Sequence, residues 1–156
     1  MDFEDFLRLL AALDRHGVNY VLVGAAALGV HGLVRATEDI DLFVRPEAQN
    51  VEALKRALRS VWTDPEIEQI SAEDLASEYP TIRYVPPGGT PVVDLISHLG
   101  TAFRFEDLEA EKVVLEGVPV HVATPRTLYR MKRDTVRPID RADAQALREK
   151  FRLEEG

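Results

Sequence analysis

The most constraining feature of this sequence is the segment 19–45, which reads NYVLVGAAALGVHGLVRATEDIDLFVR. Its continuous apolar run Tyr20–Val23 predicts a strand that is buried on both faces and ends at Gly24. The small residues and leucine of 25–32 predict a helix that packs closely on the sheet. That helix begins with unpartnered backbone N–H groups at Gly24 and Ala25, and such donors suit an anion.

The second half of the segment predicts an acidic strand. Acidic and apolar side chains alternate from Glu38 to Val44, so a strand places Asp39 and Asp41 on one face and Glu38 on the other. Adjacent carboxylates repel each other unless a cation lies between them. Oxygen ligands beside a phosphate-binding turn favour Mg²⁺. An isolated Asp-x-Asp is more often a solvated strand, but its position after a glycine turn and a small-residue helix favours a metal site.

This segment resembles the signature of the DNA polymerase beta-like nucleotidyltransferase superfamily. In that signature an apolar strand ends in Gly-Gly or Gly-Ser, and Asp-x-Asp follows on a second strand after a short spacer. The residues of this segment are most similar to those of the small prokaryotic branch, which includes AbiEii-type toxins. The resemblance implies Mg²⁺-dependent transfer of a nucleoside monophosphate from an NTP to a hydroxyl acceptor on a protein, an RNA or a small molecule. This chain departs from the pattern at Ala25, which has no hydroxyl for the triphosphate but keeps its backbone donor.

A third carboxylate is predicted on a later strand. The alternating run 81–85, the Pro- and Gly-rich turn 86–91 and the apolar run 92–96 indicate a β-hairpin. Asp94 lies within the apolar run, where an acid is costly to bury unless it is paired. The resemblance implies that Asp94 completes the metal site with Asp39 and Asp41, which suits two Mg²⁺ ions. Alternatively, Asp94 forms an ion pair with an arginine near the end of its strand.

Three further residues are candidates for contacts with nucleotide phosphates. Arg35 and Thr37 precede the acidic pair and either reach phosphate or order the loop. Lys132 opens a stretch that resembles the M-K-x-x-x-x-R-x-x-D-x-x-D motif of small nucleotidyltransferases. It either faces the triphosphate or belongs to a solvated basic face, because helix phase alone does not decide. His31 lies within the segment 19–45 but is interpreted as structural, since the histidines lack the spacing of a transition-metal site.

Composition limits the classes of function. The chain has 156 residues and 46% hydrophobic residues, enough for one domain with a real core. Its formal net charge of −8 argues against general nucleic-acid binding, which depends on clustered Lys and Arg. The absence of cysteine excludes disulfides and thiolate chemistry and fits a cytoplasmic protein. The acidic first residues and the short apolar stretches predict neither a signal peptide nor a membrane span.

The predicted fold is therefore α/β, a small mixed sheet flanked by helices within a single domain of residues 1–156. Its core is expected over about 19–100, with a hairpin turning at Glu116-Gly117 and helices in 103–152; the first part of that region, 103–112, is predicted to be weakly helical. The leading functional hypothesis is a nucleotidyltransferase. The alternatives are a catalytically weak or inactive binding module, such as one member of a toxin–antitoxin pair with a protein partner, and a metal-dependent phosphohydrolase that uses water as acceptor.

Overall fold

The predicted α/β fold with a mixed sheet is confirmed by a computed structural model, which describes residues 2–33, 37–77, 81–99, 103–133 and 138–153. The sheet contains β1 (Tyr20–Val23), β2 (Asp39–Val44), β3 (Thr81–Tyr84), β4 (Val92–Ile96), β7 (Ala110–Leu115) and β8 (Val118–Ala123). A separate ribbon consists of β5 (His98–Leu99) and β6 (Phe103–Arg104). The strand order in the sheet is β3-β4-β2-β1-β8-β7. The acidic strand β2 therefore lies near the middle of the sheet, between β1 and β4.

Helices flank this sheet. They are α1 (Phe3–Arg15), α2 (Gly24–Val30), α3 (Ala48–Val61), α4 (Ala72–Leu75), α5 (Pro125–Lys132) and α6 (Pro138–Phe151). The first helix begins after Asp2, whose carboxylate accepts a hydrogen bond from the Glu4 N–H. It gives way to Gly17, whose φ of +66° is readily adopted by glycine. Within the described residues no helix has the length and apolar character needed to cross a membrane.

The region 103–112 was wrongly predicted as weakly helical. It contains β6, a short 3₁₀ turn over Phe105–Asp107 and the start of β7. β7 forms a regular antiparallel ladder with β8, and β8 lies parallel to β1 with Val122 opposite Leu22. The ladder satisfies backbone groups along the whole strand, so tertiary pairing overrides weak local helix preference. As a result the C-terminal hairpin extends the same sheet that carries the acidic strand.

A buried asparagine joins the segment that enters β1 to the segment that leaves β2. The side-chain carbonyl of Asn50 accepts from the Asn19 N–H at 2.7 Å, and its amide group donates to the Asn19 and Arg45 carbonyls, both at 2.9 Å. Asn50 is only 6% exposed, so water cannot readily replace these partners. This residue fixes how the ends of two neighbouring central strands meet.

We expect Asn50→Ala to lower the free energy of unfolding by about 2–4 kcal/mol, because it leaves buried backbone groups without their partners. Chemical denaturation monitored by circular dichroism measures the loss. Gln49→Ala, at an exposed position one residue earlier in the same helix, is the control and is expected to change stability by less than about 0.5 kcal/mol. Equal stability of the two variants would contradict this account of Asn50.

Candidate active site

The sheet brings the three predicted aspartates to one face. β2 pairs with β4 in parallel so that Asp41 lies directly opposite Asp94, and Asp39 is two residues before Asp41 on the same face of β2. We call Asp39, Asp41 and Asp94 the carboxylate row. On the other side of β4, the antiparallel register with β3 places Arg83 directly opposite Asp94. Three neighbouring strands thus present the carboxylate row and one guanidinium on a common face.

Asp41 is the most strongly perturbed member of this row. Burial raises the pKa of its carboxyl to about 7, and the negative charge of Asp94, a hydrogen bond between the two side chains and the charge of Asp39 act in the same direction. The positive charge of Lys132 opposes this shift in the pKa of Asp41. Without a bound cation, Asp41 therefore holds a proton for much of the time at neutral pH. A cation against this carboxylate would relieve the repulsion and favour its ionised form.

Arg83 supplies a positive charge to the other end of the row. Its guanidinium contacts Asp94 through two bonds, Nε to Oδ1 at 3.0 Å and Nη2 to Oδ2 at 3.2 Å. The same Nη2 lies 3.7 Å from Oδ2 of Asp39. Hydrogen bonding to Asp94, together with the charges of the row, raises the pKa of Arg83. Asp94 thus adjoins Asp41 and forms the ion pair with an arginine that was one of its two predicted roles; its part in a metal site stays a prediction.

Sequence reasoning did not name Arg83 as a site residue, although a signal for it existed. The predicted turn 86–91 contains Gly88-Gly89 at its centre. A hairpin symmetrical about these glycines pairs Arg83 with Asp94, which is the observed register. The sequence therefore allows Arg83 to be predicted as the partner of Asp94 if the turn is centred on Gly88-Gly89.

The glycine turn after β1 packs directly against Asp41. Gly24 has a φ of +73°, and a Cβ at this position would lie 2.0 Å from Oδ2 of Asp41. Val23, the N-cap residue of α2, makes no side-chain capping hydrogen bond to the helix, which begins at Gly24. Ala25 follows in that turn and is half-buried. The backbone of the Gly24 turn therefore lies directly beside the carboxyl of Asp41, whose pKa is raised.

Of the two candidates for phosphate contacts that precede the acidic strand, only Thr37 lies within the described residues. Thr37 donates its hydroxyl to the Asp39 carbonyl at 3.1 Å and accepts from the Asp39 N–H at 3.1 Å. It therefore orders the entry to β2, which was one of its two predicted roles. An open cavity of about 260 Å³ adjoins Thr37 and Ala25. The prediction for Arg35 lies outside the described residues.

Lys132, at the end of α5, is held by acids from α6. Its Nζ donates to Asp140 at 3.1 Å and to Asp143 at 3.2 Å. Both aspartates are 8% exposed, so Lys132 does not belong to a solvated basic face. Its charge nevertheless lowers the pKa of Asp41, which places it within electrostatic reach of the carboxylate row.

His31 has structural contacts, as predicted. Its ring lies edge-on to Phe151, and Nε2 is 2.8 Å from the Ala123 carbonyl oxygen at the end of β8. These contacts join the end of α2 to the sheet and to the last helix. His31 is therefore separate from the carboxylate row in the interactions it makes.

The donor chemistry of the row fits a hard divalent cation. Carboxylate oxygens are the ligands that Mg²⁺ prefers, and Mg²⁺ commonly takes one or two of them with phosphate and water completing the octahedron. Asp39 is substantially exposed, so it can reach such an ion. In the described part of the chain no group of three or more His, Asp or Glu side chains is arranged to hold a metal as it stands. The pair Asp39 and Asp41 is thus the core of the candidate site, while Arg83 engages Asp94.

Comparisons with known proteins identify the family and the fold. A family model described as "Nucleotidyl transferase AbiEii toxin, Type IV TA system" matches residues 8–152. No curated protein matches this chain significantly.

Three solved structures share the fold. A protein of Thermotoga maritima described as a nucleotidyltransferase has a TM-score of 0.57 and 15% identity, with 97% of this chain and 96% of that chain covered. An antigenic nucleotidyltransferase-like protein from Paracoccidioides brasiliensis has a TM-score of 0.55 and 18% identity, with coverages of 92% and 76%. ANT(2")-Ia, solved in complex with adenylyl-2"-tobramycin, has a TM-score of 0.55 and 15% identity, with coverages of 96% and 90%. At such low identities these likenesses establish the architecture alone.

Proposed function

We propose that this chain, which belongs to the AbiEii family of nucleotidyltransferase toxins, binds an NTP with Mg²⁺ and transfers a nucleoside monophosphate to a hydroxyl acceptor. The observation that carries the proposal is the packing of the Gly24 turn against Asp41, with Asp39 and Asp94 on the same face of the sheet. A turn suited to phosphate and carboxylates suited to a divalent cation must be adjacent for such a reaction, because a cation held by the carboxylates would have to act on the same phosphates that the turn binds.

In the proposed mechanism Asp39 and Asp41 hold Mg²⁺, and Asp94 is the third ligand if a second ion binds. Bound there, Mg²⁺ would supply positive charge that offsets the charge developing on the phosphates. The backbone N–H groups of Gly24 and Ala25 donate to phosphate oxygens and align the triphosphate. Thr37 keeps the entry to β2 in place through its bonds to Asp39. Arg35 is a further proposed phosphate contact.

The transfer itself is an in-line displacement at the α-phosphorus. The acceptor oxygen forms a bond to phosphorus, the bond to the bridging oxygen breaks, and pyrophosphate leaves with the electron pair. The proton of the acceptor hydroxyl passes to a carboxylate oxygen, for which we propose Asp94 on the strand next to the metal ligands. The positive charge of Lys132, which lowers the pKa of Asp41, adds to the stabilisation of the triphosphate.

Isothermal titration calorimetry tests the proposal directly. The protein is titrated with ATP, GTP, CTP and UTP, with and without Mg²⁺, beside the double variant Asp39→Ala/Asp41→Ala. We expect at least one NTP to bind only with Mg²⁺ and the double variant to lose that binding. Transfer of a labelled nucleotide is then followed on protein, RNA and small-molecule acceptors. Failure of every NTP to bind with Mg²⁺ would contradict the proposal.

Two observations favour a second candidate function, a non-catalytic binding module. Ala25 replaces the Gly or Ser of the family pattern, and Arg83 already engages Asp94 and approaches Asp39. Such a module would bind a protein partner from a toxin–antitoxin pair and no NTP, so the same titrations separate the two functions. A phosphohydrolase would bind the NTP but release inorganic phosphate or free nucleoside monophosphate without an acceptor adduct.

A further inference from the structure

The exposed guanidinium of Arg83 supplies positive charge to two of the three members of the carboxylate row. It contacts both oxygens of Asp94 and comes within 3.7 Å of Asp39. These two aspartates lie on adjacent strands, and the guanidinium reaches both from a third strand. Arg83 therefore offsets the negative charge of the row in the absence of metal.

The two ends of this contact differ greatly in exposure. The Arg83 side chain is 61% exposed, whereas the Asp94 side chain is 10% exposed. An exposed arginine can turn into solvent at small cost, because a surface ion pair contributes little net stability and water hydrates the released guanidinium. A carboxylate as buried as Asp94 needs some partner at all times. Removal of Arg83 is therefore easy only if another cation takes its place.

We propose that Arg83 is the counter-cation of the metal-free site, and that Mg²⁺ binding displaces its guanidinium from Asp94 and Asp39. The inference rests on the proposed function, because it assumes that the carboxylate row binds a divalent cation. Arg83 is a positioning residue in this scheme: it keeps Asp94 ordered before the metal binds, and it weakens binding of the bare ion. A ligand that also brings phosphates gives the displaced guanidinium a new anionic partner, which favours binding of the metal together with nucleotide.

Two measurements on the intact chain test the displacement. Calorimetry with Mn²⁺ alone compares wild type with Arg83→Gln, which removes the charge, and with Arg83→Lys, which keeps the charge but loses the two-bond contact. NMR of the ¹⁵N-labelled wild type follows the Nε–H signal of Arg83 during titration with Mg²⁺. This signal reports the bond to Asp94 directly and does not depend on the folding of any variant.

We expect Arg83→Gln to tighten Mn²⁺ binding by about two- to fivefold, the range that corresponds to the loss of one exposed competing ion pair. Arg83→Lys should fall between Gln and wild type, since it competes less well for Asp94. The Nε–H signal should disappear or shift as Mg²⁺ saturates the site. The matched control is Arg59→Gln, which removes an arginine with two bonds to Glu68 and leaves the carboxylate row untouched; it should leave Mn²⁺ affinity unchanged.

The possible failures are distinguishable. If wild type binds Mn²⁺ and Arg83→Gln binds it no more tightly, or if the Nε–H signal stays unshifted at saturating Mg²⁺, the displacement is wrong and the proposed function stands. If neither protein binds Mn²⁺, the displacement is wrong, and the titrations with NTP and Mg²⁺ decide the proposed function separately. Binding of Mn²⁺ by Arg83→Gln but not by wild type supports the displacement, because it shows that Arg83 weakens binding of the bare ion.

Discussion

Asp41→Asn is expected to abolish nucleotide transfer and, at the same time, to stabilise the metal-free protein at pH 8. Activity is lost because the amide cannot supply the negative charge of a Mg²⁺ ligand. Stability rises because Asn resembles the protonated form of Asp41 and removes the repulsion from Asp94 and Asp39. The difference between the ordinary carboxyl pKa of 3.8 and about 7 corresponds to an upper limit of about 4 kcal/mol.

The direction of the predicted change in stability follows from the pKa of Asp41. The pKa of Asp41 is higher in the folded protein than in the unfolded chain, so folding is favoured by protonation of this group. Its contribution to stability is fully present below about pH 3.8 and is lost as the pH rises to about 7. The stabilisation by Asp41→Asn should therefore be largest above pH 7 and vanish near pH 4. Thermal unfolding with a metal chelator present, measured from pH 4 to 8, checks it.

Asp107→Asn is the control for this experiment, since it removes the same charge from an exposed turn. It should retain transfer activity and lack the stabilisation above pH 7. Retention of transfer by Asp41→Asn would remove Asp41 from the mechanism. A variant less stable than wild type at pH 8 would show that the Asp41 carboxylate is already paired favourably in the metal-free protein.

Gly24→Ala is expected to destabilise the protein by about 2–4 kcal/mol and to eliminate Mg²⁺-dependent NTP binding. An alanine must adopt a φ of +73°, which costs about 1 kcal/mol or more. Its Cβ would also lie 2.0 Å from Oδ2 of Asp41, so either the turn or the carboxylate must move. Denaturant unfolding measures the first effect, and calorimetry with NTP and Mg²⁺ measures the second.

The chain offers a matched control at Gly29, in the same helix. A Cβ there would meet nothing within 4 Å, and its φ lies outside the left-handed region. Gly29→Ala should therefore stabilise the protein by about 0.5–1 kcal/mol, the usual gain at an unobstructed helical position. If Gly24→Ala behaves like Gly29→Ala, the close packing of the glycine turn is not essential.

A double variant separates the strain at Gly24 from the clash. In an Asp41→Ala background the carboxylate is removed and only the Cβ at position 41 remains close, 3.1 Å from the new Cβ, so Gly24→Ala should cost little more than the backbone strain of about 1 kcal/mol. The difference from its cost in wild type measures the contact with Asp41. Additivity of the two substitutions would show that the turn and the carboxylate do not touch in solution.

Much of the candidate site was predictable because it is local in sequence. Strand period places Asp39 and Asp41 on one face, and Gly24 ends a strand that is too apolar to be exposed. The helix capped by Asp2 and the hairpin about Gly88-Gly89 follow from equally local chemistry. The wrong prediction for 103–112 arose from long-range interactions, because a strand that is held by distant partners leaves only a weak signal in its local sequence.

The sequence by itself determined which residues carry charge, that an apolar strand ends at a glycine turn, and that an acidic pair follows this turn. Only the tertiary structure decided that Asp94 lies opposite Asp41 and that Lys132 is held by Asp140 and Asp143. These contacts depend on strand order, register and helix docking, which are set by the burial of the whole apolar core. Because charges interact through space at a few ångströms, the raised pKa of Asp41 becomes apparent only once the sheet is assembled.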